Sequence, residues 1–472
     1  MTDFKQCLEN LPSFHREAIE KLINPLNPNI DLANQLNFLN IRLAQTVSLK
    51  RIKFRMTPGQ KPVIVNLYGL ILINSGGGKD RLNDIIDKYL LADFKTHFKK
   101  LDKEFLEKFL KENKESIDKD TIKAIRNLRC EIGDGTAEGF FSDCVAICYR
   151  PFGGIFVLIP EFAAYIENPT QAQQIFLNSL IEVYEGKVSS KSIKSELIAS
   201  EVEGVHVNIL FYSDPSRLLN GKAGKRLEEM LDAGLSRRFF VTCMVEVVLS
   251  IIEDPQRERE ITENAYKDGV ILGKKLMEIL EKIPENAIYQ LNDEAYAIFH
   301  NYKNNNIKKY NLMLKTSESI IKKELLGRDW KTLKLAALIA AIEHPEQTVI
   351  TAQDMKYAIF QSELFAESAG KFFEMTPVID AQKLYNYFKE NKGAWLTKTD
   401  IRQQKFVSQK GFSSWFKENI ELAREIAVLE GCEITEEAFG GYTKNSGTHY
   451  KLVASEIGKE LSPEVQDTKE LL

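Results

Sequence analysis

The sequence predicts an α/β fold. It has a core of buried strands, helices before it, a helical region after it and a small helix-and-hairpin domain at the C-terminus. Three observations carry this. Asn66–Arg81 reads NLYGLILINSGGGKDR, in which the apolar run Gly69–Ile73 is followed at once by a glycine loop, a lysine and a helical pattern with Leu82, Ile85 and Ile86 on one face. Two more apolar runs, Ile155–Ile159 and Val205–Tyr212, read as further buried strands. After Met375-Thr376-Pro377, which reads as a linker, three short helical patterns precede a hairpin.

Buried strand, glycine loop, lysine and helix, in that order, form a phosphate-binding loop, or P-loop. Gly76, Gly77 and Gly78 let the backbone curl so that amides from Asn74 to Arg81 point inward at phosphate oxygens. The helix N-terminus adds the positive end of its dipole. Lys79 is placed to reach the β- and γ-phosphates of ATP. Two positions depart from the full pattern. Ile73 stands where a glycine or alanine is usual, and Asp80 replaces the Ser/Thr that binds Mg²⁺. A carboxylate also binds Mg²⁺, directly or through water, so Asp80 is the candidate metal residue. The competing reading is a glycine-rich loop with no ligand.

Composition sets the limits. With 472 residues, 44% apolar and 28% charged, the chain is an ordinary globular protein of two or three domains. A net charge of −4 gives no global basic field, so any DNA contact must come from a local patch or from oligomer symmetry. The six cysteines are scattered, which suits a reducing cytoplasm. Cys144 and Cys148 lack a second Cys/His pair and read as small hydrophobes. Asp3 and Glu9 argue against a signal peptide. The longest apolar runs, near Phe239–Val245 and Leu335–Ile342, are too short to span a membrane.

Residues 1–55 read as an N-terminal helical segment ending in the basic cluster Lys50–Arg55, a solvated helix end or a phosphate or DNA contact. The core runs from 56 to 253. Within it, Phe94–Leu128 is one or two charged surface helices. Gly133–Gly139 is a turn and a helix start. The strand Ile155–Ile159 ends in Pro160-Glu161, and a carboxylate at that place orients the attacking water of an NTPase. The alternative is a plain helix N-terminal acid. The third strand ends at Ser213, which reads either as a γ-phosphate sensor or as a cap on the next helix. Arg237 and Arg238 follow a turn and precede another buried strand, a candidate arginine finger or a surface pair. Residues 254–374 read as helical without strands, with Tyr302–Tyr310 as a loop or, less favoured, a DNA contact.

Residues 378–454 read as a winged helix: helices at Asp380–Asn391, Thr397–Gln403 and from Ser408, then a hairpin around Thr443–Ser446. Thr397-Lys398-Thr399-Asp400 is good cap chemistry. Lys405, Gln409, Lys410 and Lys417 make a polar-basic face at the third helix, with Lys444 at the wing tip; DNA binding and protein docking are both open. Residues 455–472 read as a polar tail.

Over about Val63–Phe240 the chain resembles phage- and plasmid-borne P-loop ATPases related to replicative helicases, found with primases. The resemblance rests on SGGGKDR, on DGTAEGF at Asp134–Phe140, on Ile159-Pro160-Glu161-Phe162-Ala163, on Ser213-Asp214-Pro215 and on Gly234–Phe239. Relatives in this group also carry Asp after the loop lysine, whereas their usual Asp-Glu pair is reduced here to Pro160-Glu161. The resemblance implies a RecA/AAA+-like core in a cytoplasmic homo-oligomeric ring, a hexamer, with ATP and Mg²⁺ between subunits. It also implies Glu161 polarising water, and Arg237 or Arg238 completing the neighbour's site. The partners it implies are single-stranded or forked DNA and a primase or polymerase. The chain reads as a stand-alone helicase or initiator, 1–55 being too short for a primase or polymerase domain. Two rivals stand beside it: an ATP-gated DNA-binding replication initiator or copy-control protein without unwinding, and a small-molecule kinase.

Overall fold

The computed structural model describes residues 4–113, 119–189, 201–219, 221–244, 252–312, 320–404, 412–429, 432–439 and 447–454. The chain is mixed α/β and divides into two units, Met1–Phe372 and Phe373–Leu472. The division falls inside the helix Ala352–Glu390. Residues 375–377, expected as a linker, are therefore helical. Pro377 removes one backbone hydrogen bond, a local cost that a long helix can tolerate.

The first unit opens with short helices and then the helix Leu32–Val47, capped by the Asp31 carboxylate, which accepts from Asn34 N at 2.9 Å. Strands follow in chain order: β1 (Lys53–Arg55), β2 (Val63–Ile64), β3 (Tyr68–Ile73), β4 (Glu131–Ile132), β5 (Ile155–Ile159), β6 (Lys187–Ser189), β7 (Glu201–Glu203), β8 (Val207–Ser213), β9 (Phe239–Met244), β10 (Ile288–Leu291) and β11 (Val349–Ile350). The central sheet has the order β4-β5-β8-β3-β9, and every neighbouring pair in it is parallel. All residues of β3, β8 and β9 are buried, as continuous apolar runs in a sheet covered on both faces require.

One face is covered by Leu32–Val47. Most of its polar residues are buried too, and two asparagines reach distant elements. Asn37 donates to Phe240 O and Thr242 Oγ1, and Asn40 to Gln361 Oε1 at 2.7 Å. Asn208 on β8 donates to Ala44 O and Ser48 Oγ. The segments expected separately as 1–55, 56–253 and 254–374 thus share one core. Local pattern shows that a helix exists but not what it packs against.

The structure corrects three further expectations. The region after 254 is not strandless: β10 and β11 join β1 and β2 in a second sheet ordered β11-β10-β1-β2. Strands of four and two residues are too short to display a period. The cluster Lys50–Arg55 is no solvated helix end. Lys53–Arg55 is β1, and Arg51, left-handed at φ 50°, gives its guanidinium to the carbonyls of Ile147, Phe152 and Gly153. Tyr302–Tyr310 lies within the helix Asp293–Leu312, where the buried Tyr302 hydroxyl donates to Glu363 at 2.7 Å. Asparagines lower helix propensity there, but tertiary contact overrides it.

The helix Ile320–Glu343 ties the unit together. Glu343 at its end accepts from the amides of Ser13 and Phe14 at 3.1 and 3.0 Å. Glu324 pairs with Arg328 at 2.6 Å and Lys331 at 2.9 Å, all three buried. Lys331 also donates to Ser236 O and Phe239 O. Gly327 is required here, because a Cβ would stand 2.2 Å from Arg237 O.

The second unit contains the end of Ala352–Glu390, β12 (Leu396–Thr397), the helices Lys398–Arg402 and Phe412–Leu429, β13 (Cys432–Phe439) and β14 (Gly447–Ala454). Its antiparallel sheet has the order β12-β14-β13. Its core is apolar, with Leu384, Phe388, Ile401, Phe416 and Leu452 buried. Thr397 and Asp400 close the expected capping box at 2.7–3.1 Å.

Removing Glu324 leaves two buried cations short of their counter-charge. Glu324→Leu is expected to cost about 3–5 kcal/mol in chemical denaturation. Burial pushes the Glu324 carboxyl up, but Lys331 and Arg328 outweigh it and hold it below the ordinary carboxylate range. A lowered folded pKa stabilises above the unfolded pKa, so this contribution is lost as pH falls through the folded value. The variant's deficit relative to wild type should shrink in acid; a pH-independent deficit contradicts the ion-pair account.

Candidate functional site

Parallel strands send all their C-terminal ends to one edge. At that edge β3 ends at Ile73, which is fully buried and continues the strand where a glycine is usual. The loop Asn74–Gly78 turns on a bond from Gly77 N to Asn74 O at 3.0 Å. Gly76 and Gly78 sit at φ +86° and +85°, backbone that favours glycine. At Gly78 a side chain is excluded twice, since a Cβ would also stand 2.7 Å from Asn27 Oδ1. The buried Asn27 donates to Gly78 O at 2.8 Å, so the N-terminal helices fix the loop. The helix Lys79–Ile85 follows and runs on through Ile86–Leu90. The amides of Gly76, Gly78, Lys79, Asp80 and Arg81 have no acceptor among the described residues. Five unpaired N–H groups beside a buried cation suit an anion with several oxygens.

Lys79 is buried, and its Nζ lies 2.7 Å from Glu161 Oε1. Glu161 follows β5 at φ +52°, the left-handed region that a non-glycine residue enters at a cost of about 1–3 kcal/mol. It sits at the N-cap of the helix Phe162–Glu167, yet its side chain makes no cap hydrogen bond. The plain helix-acid reading therefore does not describe its contacts. The second carboxylate oxygen, Oε2, meets Arg217 Nη1 at 3.3 Å.

Between β3 and β5 lies β8, whose end brings two more groups. Ser213 Oγ, fully buried, accepts from Ala163 N at 3.1 Å, tying β8 to the helix after Glu161. The cap on the next helix, Pro215–Leu218, is Asp214 rather than Ser213. One Asp214 oxygen accepts from Ser216 N and Oγ, and the other from Ser75 N at 2.8 Å and Oγ at 2.7 Å. Burial raises its pKa, but these bonds win and hold the carboxyl down at about 2. Asp80 is exposed and lies near the Tyr212 hydroxyl, whose pKa is raised by burial and then by the charge of Asp80. Arg81 is exposed on the same first turn.

Sequence reasoning missed Asn27, Asp214 as the loop's anchor, and Arg217. Asp214 was visible only as a turn residue, and nothing local marks Asn27 or Arg217.

Arg237 and Arg238 are not brought to this edge. They precede β9, whose Phe239 pairs with Tyr68 at the start of β3. The glycine loop follows the other end, roughly 17 Å away at about 3.3 Å per residue. Arg237 is exposed, whereas Arg238 bonds Gly234 O at 3.1 Å and lies over the Tyr184 ring. In the second unit Lys417 is exposed; Lys405, Gln409, Lys410 and Lys444 lie outside the described residues. A cleft of about 620 Å³ opens beside the DGTAEGF segment, lined by Arg129, Asp134, Thr136, Asp143 and Gln173, and does not include the glycine loop.

Among the described residues no group of three or more His, Cys, Asp or Glu side chains forms a metal cage. A divalent ion here fits only a mixed shell of Asp80, substrate oxygens and water, as Mg²⁺ prefers. No helix among the described residues is long and apolar enough to cross a membrane. No family model and no curated protein matches the chain.

Asp214→Ala strips Ser75 N and Oγ of their acceptor. The variant is expected to lose about 1–3 kcal/mol and to show faster amide exchange at Ser75. Unchanged exchange there contradicts the anchoring role.

Proposed function

We propose that the chain is an ATPase of the P-loop class with a RecA/AAA+-like core, acting as a DNA helicase or replication-associated motor of a phage or mobile element. The observation that carries the reading is the convergence of the glycine loop, buried Lys79 and Glu161 at the C-terminal edge of one parallel sheet. The strand order supports it. The connection leaving β3 runs to the far edge at β4, and the chain returns through β5 and β8 before passing over β3 to β9. Open α/β sheets bind ligands where strand order reverses in this way.

The loop amides and Lys79 hold the phosphates, and Lys79 leaves Glu161 to do so. Glu161 then accepts a proton from water as the water oxygen bonds to the γ-phosphorus. The bond to the β–γ bridging oxygen breaks, that oxygen keeps the electron pair, and ADP and phosphate result. Asp80 would hold Mg²⁺, which when bound neutralises charge on the phosphate oxygens. Arg237 lies at the opposite end of the sheet from its own loop, so its role as a finger is on a neighbouring copy in a hexameric ring. The second unit has the elements of a winged helix, with the order β12-β14-β13 and the exposed Lys417 on the helix before the wing. DNA is its proposed partner.

A second reading, the ATP-gated initiator or copy-control protein, is favoured by one observation: Pro160 stands where a second acid would help hold Mg²⁺. DNA-stimulated turnover separates the two. The motor shows it and the switch does not.

Lys79→Ala is expected to abolish ATP binding. Glu161→Gln is expected to keep binding within a few-fold and lower kcat about 10²–10⁴-fold. Wild-type affinity in the first variant, or wild-type turnover in the second, contradicts the site.

A further inference from the structure

We infer that Arg217 is a cis γ-phosphate sensor that gates Glu161: it holds the carboxylate in the empty site and turns to the γ-phosphate when ATP is bound. The inference rests on the ATP reading and goes beyond it. Glu161 is held by two cations, one on each oxygen, Lys79 at 2.7 Å and Arg217 at 3.3 Å. Each oxygen thus has a cation beside it, which competes with water for the carboxylate. Transfer of Lys79 to the phosphates frees Oε1 alone. While Arg217 stays it still holds the orientation of the carboxylate, and its departure lets Glu161 turn to the water.

Arg217 is built to leave. Its side chain is 59% exposed, against 8% for Lys79. It stands on the four-residue helix Pro215–Leu218, whose cap Asp214 is bonded to Ser75 in the glycine loop. Its base therefore shifts with the loop. The planar guanidinium offers paired donors to phosphate oxygens, a better match than one carboxylate oxygen at 3.3 Å. Stability does not explain the pair. Both partners are about half exposed, and such surface pairs add little to stability. Arg237 and Arg238 lie at the far end of the sheet, so they do not compete for this role in cis.

In the hydrolytic step, water oxygen bonds to the γ-phosphorus and its proton passes to the freed Glu161. The bond to the bridging oxygen breaks, with the electron pair kept on ADP. Arg217 neutralises charge on the γ-phosphate oxygens throughout.

The test compares full-length wild type, Arg217→Ala, Arg217→Lys and Lys79→Ala. Calorimetry with MgADP and with a non-hydrolysable MgATP analogue is paired with single-turnover hydrolysis of MgATP. Arg217→Ala should bind MgADP within about two-fold of wild type, bind the ATP analogue about ten-fold more weakly, and turn over about 10²-fold more slowly. Arg217→Lys should recover part of the preference for the ATP analogue. An ATP-over-ADP preference equal to wild type in Arg217→Ala, with turnover unchanged or raised, overturns the inference while leaving the ATP site standing. Wild type that binds neither nucleotide, like Lys79→Ala, overturns both.

Discussion

The five central strands run parallel, so the segments that follow β3, β5 and β8 meet at one edge. Every feature of the candidate site depends on that constraint. Three stretches far apart in sequence, around Lys79, Glu161 and Asp214, become neighbours because β8 lies between β3 and β5. The hydrogen bonds then fix details the sheet leaves loose. Asp214 anchors Ser75, Asn27 anchors Gly78, and Ser213 anchors the turn behind Glu161. Glu161 in left-handed backbone is the strained member of this set, over-determined by its neighbours.

The opposite edge is held differently. There the helix Ile320–Glu343 buries lysines as well as apolar groups. Lys331 grips the carbonyls of Ser236 and Phe239, on either side of the arginine pair, and Lys334 donates to Asn66 Oδ1 and Tyr184 O. Burial pushes the Lys334 amine well below the ordinary lysine range. Such contacts are hydrogen-bonded at both partners, which is what makes buried amines tolerable. They also fix the backbone that presents Arg237 at the surface. Site and arginine segment are thus parts of one packed unit, joined through β3 and β9.

What was legible in the sequence was local. The glycine loop announces itself because strand, glycines, lysine and helix are consecutive, and the capping box at Thr397 and Asp400 because its members are three apart. The strands β3, β5 and β9 could be read from apolar runs long enough to show a pattern. β10 and β11 could not, because four and two residues carry no period. Neither could the burial of Leu32–Val47, whose asparagines look solvent-facing until Phe240, Thr242 and Gln361 are placed against them. Arg217 was illegible for the same reason: its significance is a distance to Glu161, 56 residues away in the chain. The arginine pair was legible as a motif, but its end of the sheet followed only from the register of β3 with β9.

The central claim is that the amides at the turn of β3 bind phosphate, and the most direct measurement observes them. In protein selectively labelled with ¹⁵N-glycine, titration with MgADP should move the amide resonances of Gly76 and Gly78 downfield along one saturable curve. Gly234, at the opposite edge of the sheet, should stay in place. Unmoved resonances for Gly76 and Gly78 at saturating nucleotide, or shifts confined to glycines elsewhere, would contradict the account.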